Sequence, residues 1–427
     1  MGNKNGKKKE IINNKDILNK NLTLCPLMDE RKLLIEKKVP GNTISCLGII
    51  NYNNKDFILL GFDYGKFEIF DSITLESIKE EHDEIKTNEY IRSVGQLSKQ
   101  NFVIVSQEYI RIYVFYLDDF SSNINEGHNY YDIKLVQKFN NYGKNQHSDT
   151  IDFNVKFSKA FIFDRNLYKE YDIYEVGQIK NKSKNNYNNN KNYQCEEELI
   201  VCSKKGIFIY EKNIIENNII KEDEENKNKF DIYSYLENWE NNPYVFKNKI
   251  TDTNNYDMIQ VNFKYIAGTI KNYLCLYSME TYELVSKFSV KISEDCDSVI
   301  YMLKEDILCV GGEDTISLIS INDFEIILVS TIKKSYRITE ICILPDYNIL
   351  IGMKNINNSI LYDSHIEYFY QYKFFHSVNK LTKCMEYNIL QVSSKLLTKN
   401  YSNITMRCLS DNRLVTIIDL EHIQVWE

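Results

Sequence analysis

The chain has 427 residues and a mass of 50.5 kDa, with 43% hydrophobic and 26% charged residues; that is enough apolar content to build a core and excludes wholesale disorder. Its 52 Lys and Arg against 60 Asp and Glu leave a net charge of -8, so no overall basic field concentrates nucleic acid, and no nucleic-acid partner is expected. No run of about 18 apolar residues occurs, and no apolar stretch follows the basic N-terminus, which predicts a cytoplasmic protein without a membrane span or secretory signal.

The chain opens with MGNKNGKKKE, and residues 1–30 read as a basic tail on an otherwise acidic protein. Gly2 followed by Lys4, Lys7, Lys8 and Lys9 resembles an N-myristoylation signal of the form M-G-x-x-x-[ST], with Gly6 where the Ser or Thr usually stands. One acyl chain plus a polybasic patch is enough to hold a protein at an anionic membrane, which makes Gly2 a lipidation candidate and the four lysines its lipid contacts. A solvated Lys-rich tail is the alternative. Residues 31–39, RKLLIEKKV, suit a strand carrying Leu33, Leu34, Ile35 and Val39; the Lys and Glu content suits a short helix as well.

From residue 57 one unit recurs: an apolar strand, a tight polar turn, and an alternating strand that ends on an aromatic or Ile. Its copies are FILLGFDYGKFEIFD from 57, NFVIVSQEYIRIYVF from 101, ELIVCSKKGIFIYE from 198, YIAGTIKNYLCLYS from 265, ILCVGGEDTISLIS from 307, NILIGMKNINNSILYD from 348 and RLVTIIDLEHIQVWE from 413. The repeat-end residues are Phe70, Tyr113, Tyr210, Tyr277, Ile319, Tyr362 and Trp426. Three of the intervals are about 42 or 43 residues, the length of one propeller blade; the others are a blade plus an insertion. The insertions fall at about 138–196 and 212–250. The first contains the polar tract KNKSKNNYNNNKNYQ at 180–194, read as a disordered loop; the second contains the charged run 221–229 and a short amphipathic helix over 231–242.

Only Ala160 and Ala267 represent the best helix former, while Ile, Tyr, Phe and Val abound, so an all-β fold is expected. The repeat resembles the WD-repeat β-propeller family across about residues 31–427. Phe70-Asp71, Tyr362-Asp363 and Trp426-Glu427 stand where the family has Trp-Asp, Asp63-Tyr64-Gly65 forms the turn before a third strand, and YSMETYELVSKF at 277–288 is similar to the family's WDxETGELxxxL passage. The resemblance implies a single seven-bladed β-propeller of four-stranded antiparallel blades, closed by the N-terminal strand 31–39, which supplies the outer strand of the last blade. The family's Gly-His dipeptide is absent before the first strands, since Gly127-His128 follows the third strand of blade two. The family's buried His-Asp-Ser/Thr-Trp hydrogen-bond tetrad is therefore not expected in most blades.

No chemistry-bearing motif stands out. The ten cysteines are scattered singly, mostly beside Ile, Leu or Val, and read as small buried hydrophobes. The histidines show no H-x-x-x-H pair, and no nucleophile elbow, phosphate-cradling loop or dinucleotide fingerprint occurs. The Arg-Arg pair of phosphoinositide-binding propellers is absent, since no two Arg are adjacent. The expectation is a non-enzymatic scaffold or adaptor without catalytic residues, metal or cofactor, whose partners are other proteins and, through the tail, a membrane surface. An enzyme or small-ligand binder working through the central channel is the alternative.

Overall fold

The computed structural model describes residues 26–39, 43–82, 91–97, 100–106, 109–117, 131–140, 158–164, 197–203, 206–212, 244–250, 258–270, 272–290, 299–304, 306–312, 314–332, 336–355, 366–378, 385–401 and 404–427. Within them an N-terminal strand, β1 (Leu33–Lys38), precedes the first blade: β2 (Ile44–Tyr52), β3 (Lys55–Phe62), β4 (Lys66–Asp71) and β5 (Ser77–His82). Blade two is β6 (Ile91–Gln96), β7 (Asn101–Ser106), β8 (Tyr109–Leu117) and β9 (Tyr131–Asn140). Blade three is β10 (Ser158–Asp164), β11 (Glu197–Ser203), β12 (Gly206–Lys212) and β13 (Tyr244–Ile250). Blade four is β14 (Met258–Gln260), β15 (Tyr265–Ile270), β16 (Tyr273–Ser278) and β17 (Leu284–Ser289), and blade five is β18 (Val299–Lys304), β19 (Ile307–Gly311), β20 (Thr315–Ser320) and β21 (Glu325–Thr331). Blade six is β22 (Tyr336–Ile343), β23 (Asn348–Asn355), β24 (Ile366–Val378) and β25 (Met385–Tyr401). Blade seven is β26 (Ile404–Cys408), β27 (Leu414–Ile418) and β28 (His422–Trp426), with β1 hydrogen-bonded outside β28.

All seven sheets have four antiparallel strands, so the seven-bladed architecture and its closure by the N-terminal strand are as the repeats imply. Sequence explains the layering. Second strands are apolar on both faces, as in Phe57, Ile58, Leu59 and Leu60 of β3, because each sheet is covered by a neighbour on either side. The core is accordingly split into seven apolar clusters, one at each junction between successive blades, including the junction of blade seven with blade one, where Val425 and Ile423 meet Ile58 and Phe70. Pairing of β1 with β28 covers the edge that the third strand of the last blade would otherwise present.

Two further devices tie down the ring. Lys38 and Glu421 pair at 3.0 Å beside the β1–β28 ladder. The chain before β1 then crosses to blade six, where Gln371 accepts from the Met28 backbone N–H at 2.7 Å and Ser393 accepts from that of Asp29 at 3.0 Å. Met28 is fully buried against Phe369, Leu414 and Trp426.

In the sixth blade the third strand lies beyond the place expected from the sequence. It runs Ile366–Val378, after the expected repeat end at Tyr362, which falls outside the described residues. The aromatic alternation of this strand, with Phe369, Tyr370, Tyr372 and Phe374 all buried, is what holds it in the blade. The tail 1–25, the tract 180–194, the run 221–229 and the helix expected over 231–242 also fall outside the described residues, whereas β10 and β13 lie within the ranges read as insertions.

Candidate interaction site on the rim

The repeat-end residues share one structural role. Phe70, Tyr113, Tyr210, Tyr277, Ile319 and Trp426 each pair with the second strand of their blade, opposite Ile58, Phe102, Leu199, Ile266, Leu308 and Leu414. In blade six the same register is held by Tyr372, opposite Ile349. On its other side, each of the seven marks the point where the ladder to the outer strand slips by one residue. The extra residue sits on the outer strand, a bulge that bends the strand and discourages edge-to-edge pairing.

The turns entering the outer strands are also alike. Leu75, Tyr282 and Phe324 adopt left-handed φ values of 54°, 59° and 54°, each two residues before the one that faces the repeat end. Tyr282 occupies the place of Gly in the WDxETGEL pattern, so a turn that favours Gly is made here by a bulky residue. In blade one the turn is held by Asp71, which accepts from the backbone N–H groups of Ile73 at 2.8 Å and Thr74 at 3.1 Å.

The outer-strand residue facing each repeat end forms the site. In blades two, three, four, five and seven it is Leu135, Phe246, Leu284, Ile326 and Leu33, and each of these is 37% to 52% exposed. Only Ser77 of blade one and Gln391 of blade six break the series. Blades two to five are consecutive, so four exposed apolar side chains recur at one level along the rim. What recurs is one exposed position of the blade, occupied by an apolar residue in each of the four.

In blades two, three and four a lysine follows three residues later: Lys138 after Leu135, Lys249 after Phe246, Lys287 after Leu284. In a regular strand such a pair would point to opposite faces. The bulge's extra residue reverses this, so that Leu135 and Lys138 face Tyr113 and Arg111, Phe246 and Lys249 face Tyr210 and Phe208, and Leu284 and Lys287 face Tyr277 and Cys275. Each lysine lies over a ring of the third strand: Lys138 over Tyr109 at 4.1 Å, Lys249 over Phe208 at 5.2 Å, Lys287 over Tyr273 at 3.8 Å. At Lys249 and Lys287 the contact fixes the ammonium without neutralising it.

The channel side is organised differently. Tyr301, Glu340 and Arg407 come from the innermost strands of blades five, six and seven. Arg407 donates to Glu340 at 2.8 Å and to the Tyr301 hydroxyl at 3.1 Å, and the Tyr301 hydroxyl lies 3.3 Å from the same Glu340 oxygen. Desolvation opposes the charge on Arg407, yet Tyr301 and Glu340 more than offset it and raise its pKa. The three groups thus stitch three blades together. Among the described residues no cluster of His, Cys, Asp or Glu is placed to hold a metal ion. Burial pushes the thiols of Cys309 and Cys342 up to about 12.

One part of the hydrogen-bond tetrad is present. In blade seven Trp426 donates from Nε1 to Thr416 Oγ1 at 3.1 Å, both side chains being buried.

No family model matches the chain, and no curated protein matches it. A solved structure titled "Crystal Structure of Mitotic Checkpoint Complex" contains a chain that aligns with a TM-score of 0.54 at 8% identity, covering 95% of each chain. With 1229 solved chains matching, the likeness establishes the propeller fold and selects no activity. The rim arc is not legible in the sequence alone. The bulge that aligns Phe246 with Lys249 is a property of strand pairing, and its sequence trace is the recurrent apolar-x-x-Lys spacing in three outer strands.

Proposed function

We propose that this protein is a divergent WD-repeat-like propeller that serves as a non-enzymatic scaffold in the cytoplasm, with the rim of blades two to five as its principal contact surface. The observation that carries the reading is the repetition of an exposed apolar residue, Leu135, Phe246, Leu284 and Ile326, at one register in four consecutive blades. A rigid disc with interblade cores can present such side chains without rearranging. The structural likeness to a chain from a checkpoint complex supports a scaffold role broadly. The test is affinity purification of the tagged full chain from gentle lysates. Discrete partners are expected with the native chain, and their loss with the combined variant Leu135→Ser, Phe246→Ser and Leu284→Ser. Recovery of monomer alone from the native chain contradicts the reading.

The proposal includes an N-terminal tether. Its support is the sequence MGNKNGKKK, in which Gly2 is the acylation point and Lys4, Lys7, Lys8 and Lys9 add attraction to an anionic leaflet. Intact-mass measurement tests it: a C14 acyl increment that disappears in Gly2→Ala is expected, and a free or acetylated N-terminus overturns it.

A further inference from the structure

A buried positive charge lies under the segment 26–31 that precedes β1, and no negative group meets it. We propose that Arg31, together with Gln371, holds a small monovalent anion of the chloride class in the seam between blades six and seven. The bound anion fastens residues 26–31 to the ring.

The local chain geometry delivers the arginine. Glu30 and Arg31 both donate their backbone N–H to the Leu27 carbonyl, at 3.0 and 3.1 Å, so residues 27–31 make one tight turn. Such a turn brings positions three apart to one side, and Met28 and Arg31 are buried while Asp29 and Glu30 between them are exposed. Arg31 donates from Nη1 to the Asn412 carbonyl at 3.0 Å, whereas its Nε and Nη2 are buried and meet no acceptor.

The neighbouring carboxylates are engaged otherwise. Asp29 accepts from the Ser393 hydroxyl, and Glu30 accepts from the Leu27 N–H at 3.3 Å. Next to Asn412, Asp411 is taken by Arg413 at 2.8 Å, and Asp56 accepts from the Ser410 N–H at 2.6 Å and from Asn51 at 2.7 Å. Glu427, joined to the Lys32 carbonyl through its own N–H, is exposed. Among the described residues no carboxylate pairs with Arg31.

Gln371 opens onto the same seam. Its Oε1 accepts from the Met28 N–H at 2.7 Å, which leaves Nε2 as a donor, and this nitrogen too is buried without an acceptor. Gln371 stands in one row with Leu350 and Cys342 across blade six, and both belong with Met28 to the cluster facing blade seven. The charge of Arg31 acts on the Cys342 thiol in that row. A water molecule would satisfy these donors and leave the guanidinium uncompensated; an anion does both. At 2% and 0% exposure, Arg31 and Gln371 leave no route for a phosphate ester or a partner's carboxylate, which selects a monatomic ion.

The experiment compares thermal melts of the full chain in sodium chloride and in sodium gluconate at matched ionic strength. Chloride should raise the melting temperature over gluconate by about 2 °C or more and should saturate with concentration. The preference should vanish in Arg31→Met, which removes the charge but keeps much of the volume. Amide exchange at Met28 and Asp29, whose N–H groups bond to Gln371 and Ser393, should be slower in chloride. Equal melts of the native protein in the two salts overturn the proposal, as does a chloride preference that survives in Arg31→Met. Should that variant fail to fold, native crystals grown in sodium bromide decide. An anomalous peak beside Nε and Nη2 of Arg31 is expected, and water alone at that place overturns the proposal.

Discussion

Trp426 donates its indole N–H to Thr416 within blade seven and pairs through its backbone with Leu33, so the residue that completes the last repeat also receives the strand that closes the ring. Trp426→Phe removes the hydrogen bond and part of the packing against Met28 and Phe369. A loss of about 1 to 3 kcal/mol is expected by urea unfolding. Removing residues 26–38 should do more, because it exposes the β28 edge and uncovers blade six as well; the observable is self-association in sedimentation velocity.

Tyr301, Glu340 and Arg407 couple three blades, and their removal should be asymmetric. Arg407→Leu leaves the largely buried Glu340 carboxylate without its cation and should cost about 3 to 5 kcal/mol. The double change Arg407→Leu with Glu340→Leu should recover part of that loss, a coupling that a double-mutant cycle measures directly.

Acid sensitivity should reside partly in the rim's own ion pairs. Desolvation tends to raise the Asp132 pKa, but Lys79, the Ile133 N–H and the Tyr116 hydroxyl bring it below the usual carboxylate value. Asp71 is likewise lowered against desolvation by Lys55 and two turn N–H groups. A pKa lower in the folded state means stability that is present above the unfolded value of about 3.9 and lost as pH falls through the folded one. Asp132→Asn should therefore be less stable than the native protein at pH 7 and show a shallower decline below about pH 4, read from thermal melts across pH.

Cys309 and Cys342 should resist thiol reagents at pH 8 in the native protein, since burial pushes both thiols up to about 12. Alkylation followed by peptide mass spectrometry should find them modified only after denaturant is added.

Much of the propeller is written in local pattern. β3 and β4 are visible in FILLGFDYGKFEIFD because a double-sided apolar run, a turn with Asp63 and Gly65, and an alternating strand follow each other directly. In blade six ILYD at 360–363 mimics a repeat end in sequence, while the third strand starts at Ile366 and is marked by Tyr370, Tyr372 and Phe374. The first and last strands of blade three were obscured for a related reason: β10 and β13 are separated from their central hairpin by long polar stretches that break the blade-length spacing. The rim site needed pairing information, since the coincidence of Leu284 and Lys287 on one face exists only because Val285 is bulged out of the ladder between Leu276 and Tyr277.

The central claim is that the rim of blades two to five is where this propeller meets other proteins. Site-specific photocrosslinking in cells tests it directly, with a photoreactive residue placed singly at Phe246, at Leu284 and, as a control, at Glu80 of blade one. The account predicts crosslinked species of discrete higher mass from positions 246 and 284 and none from position 80. Crosslinks from the control position alone, or from none of the three, would contradict it.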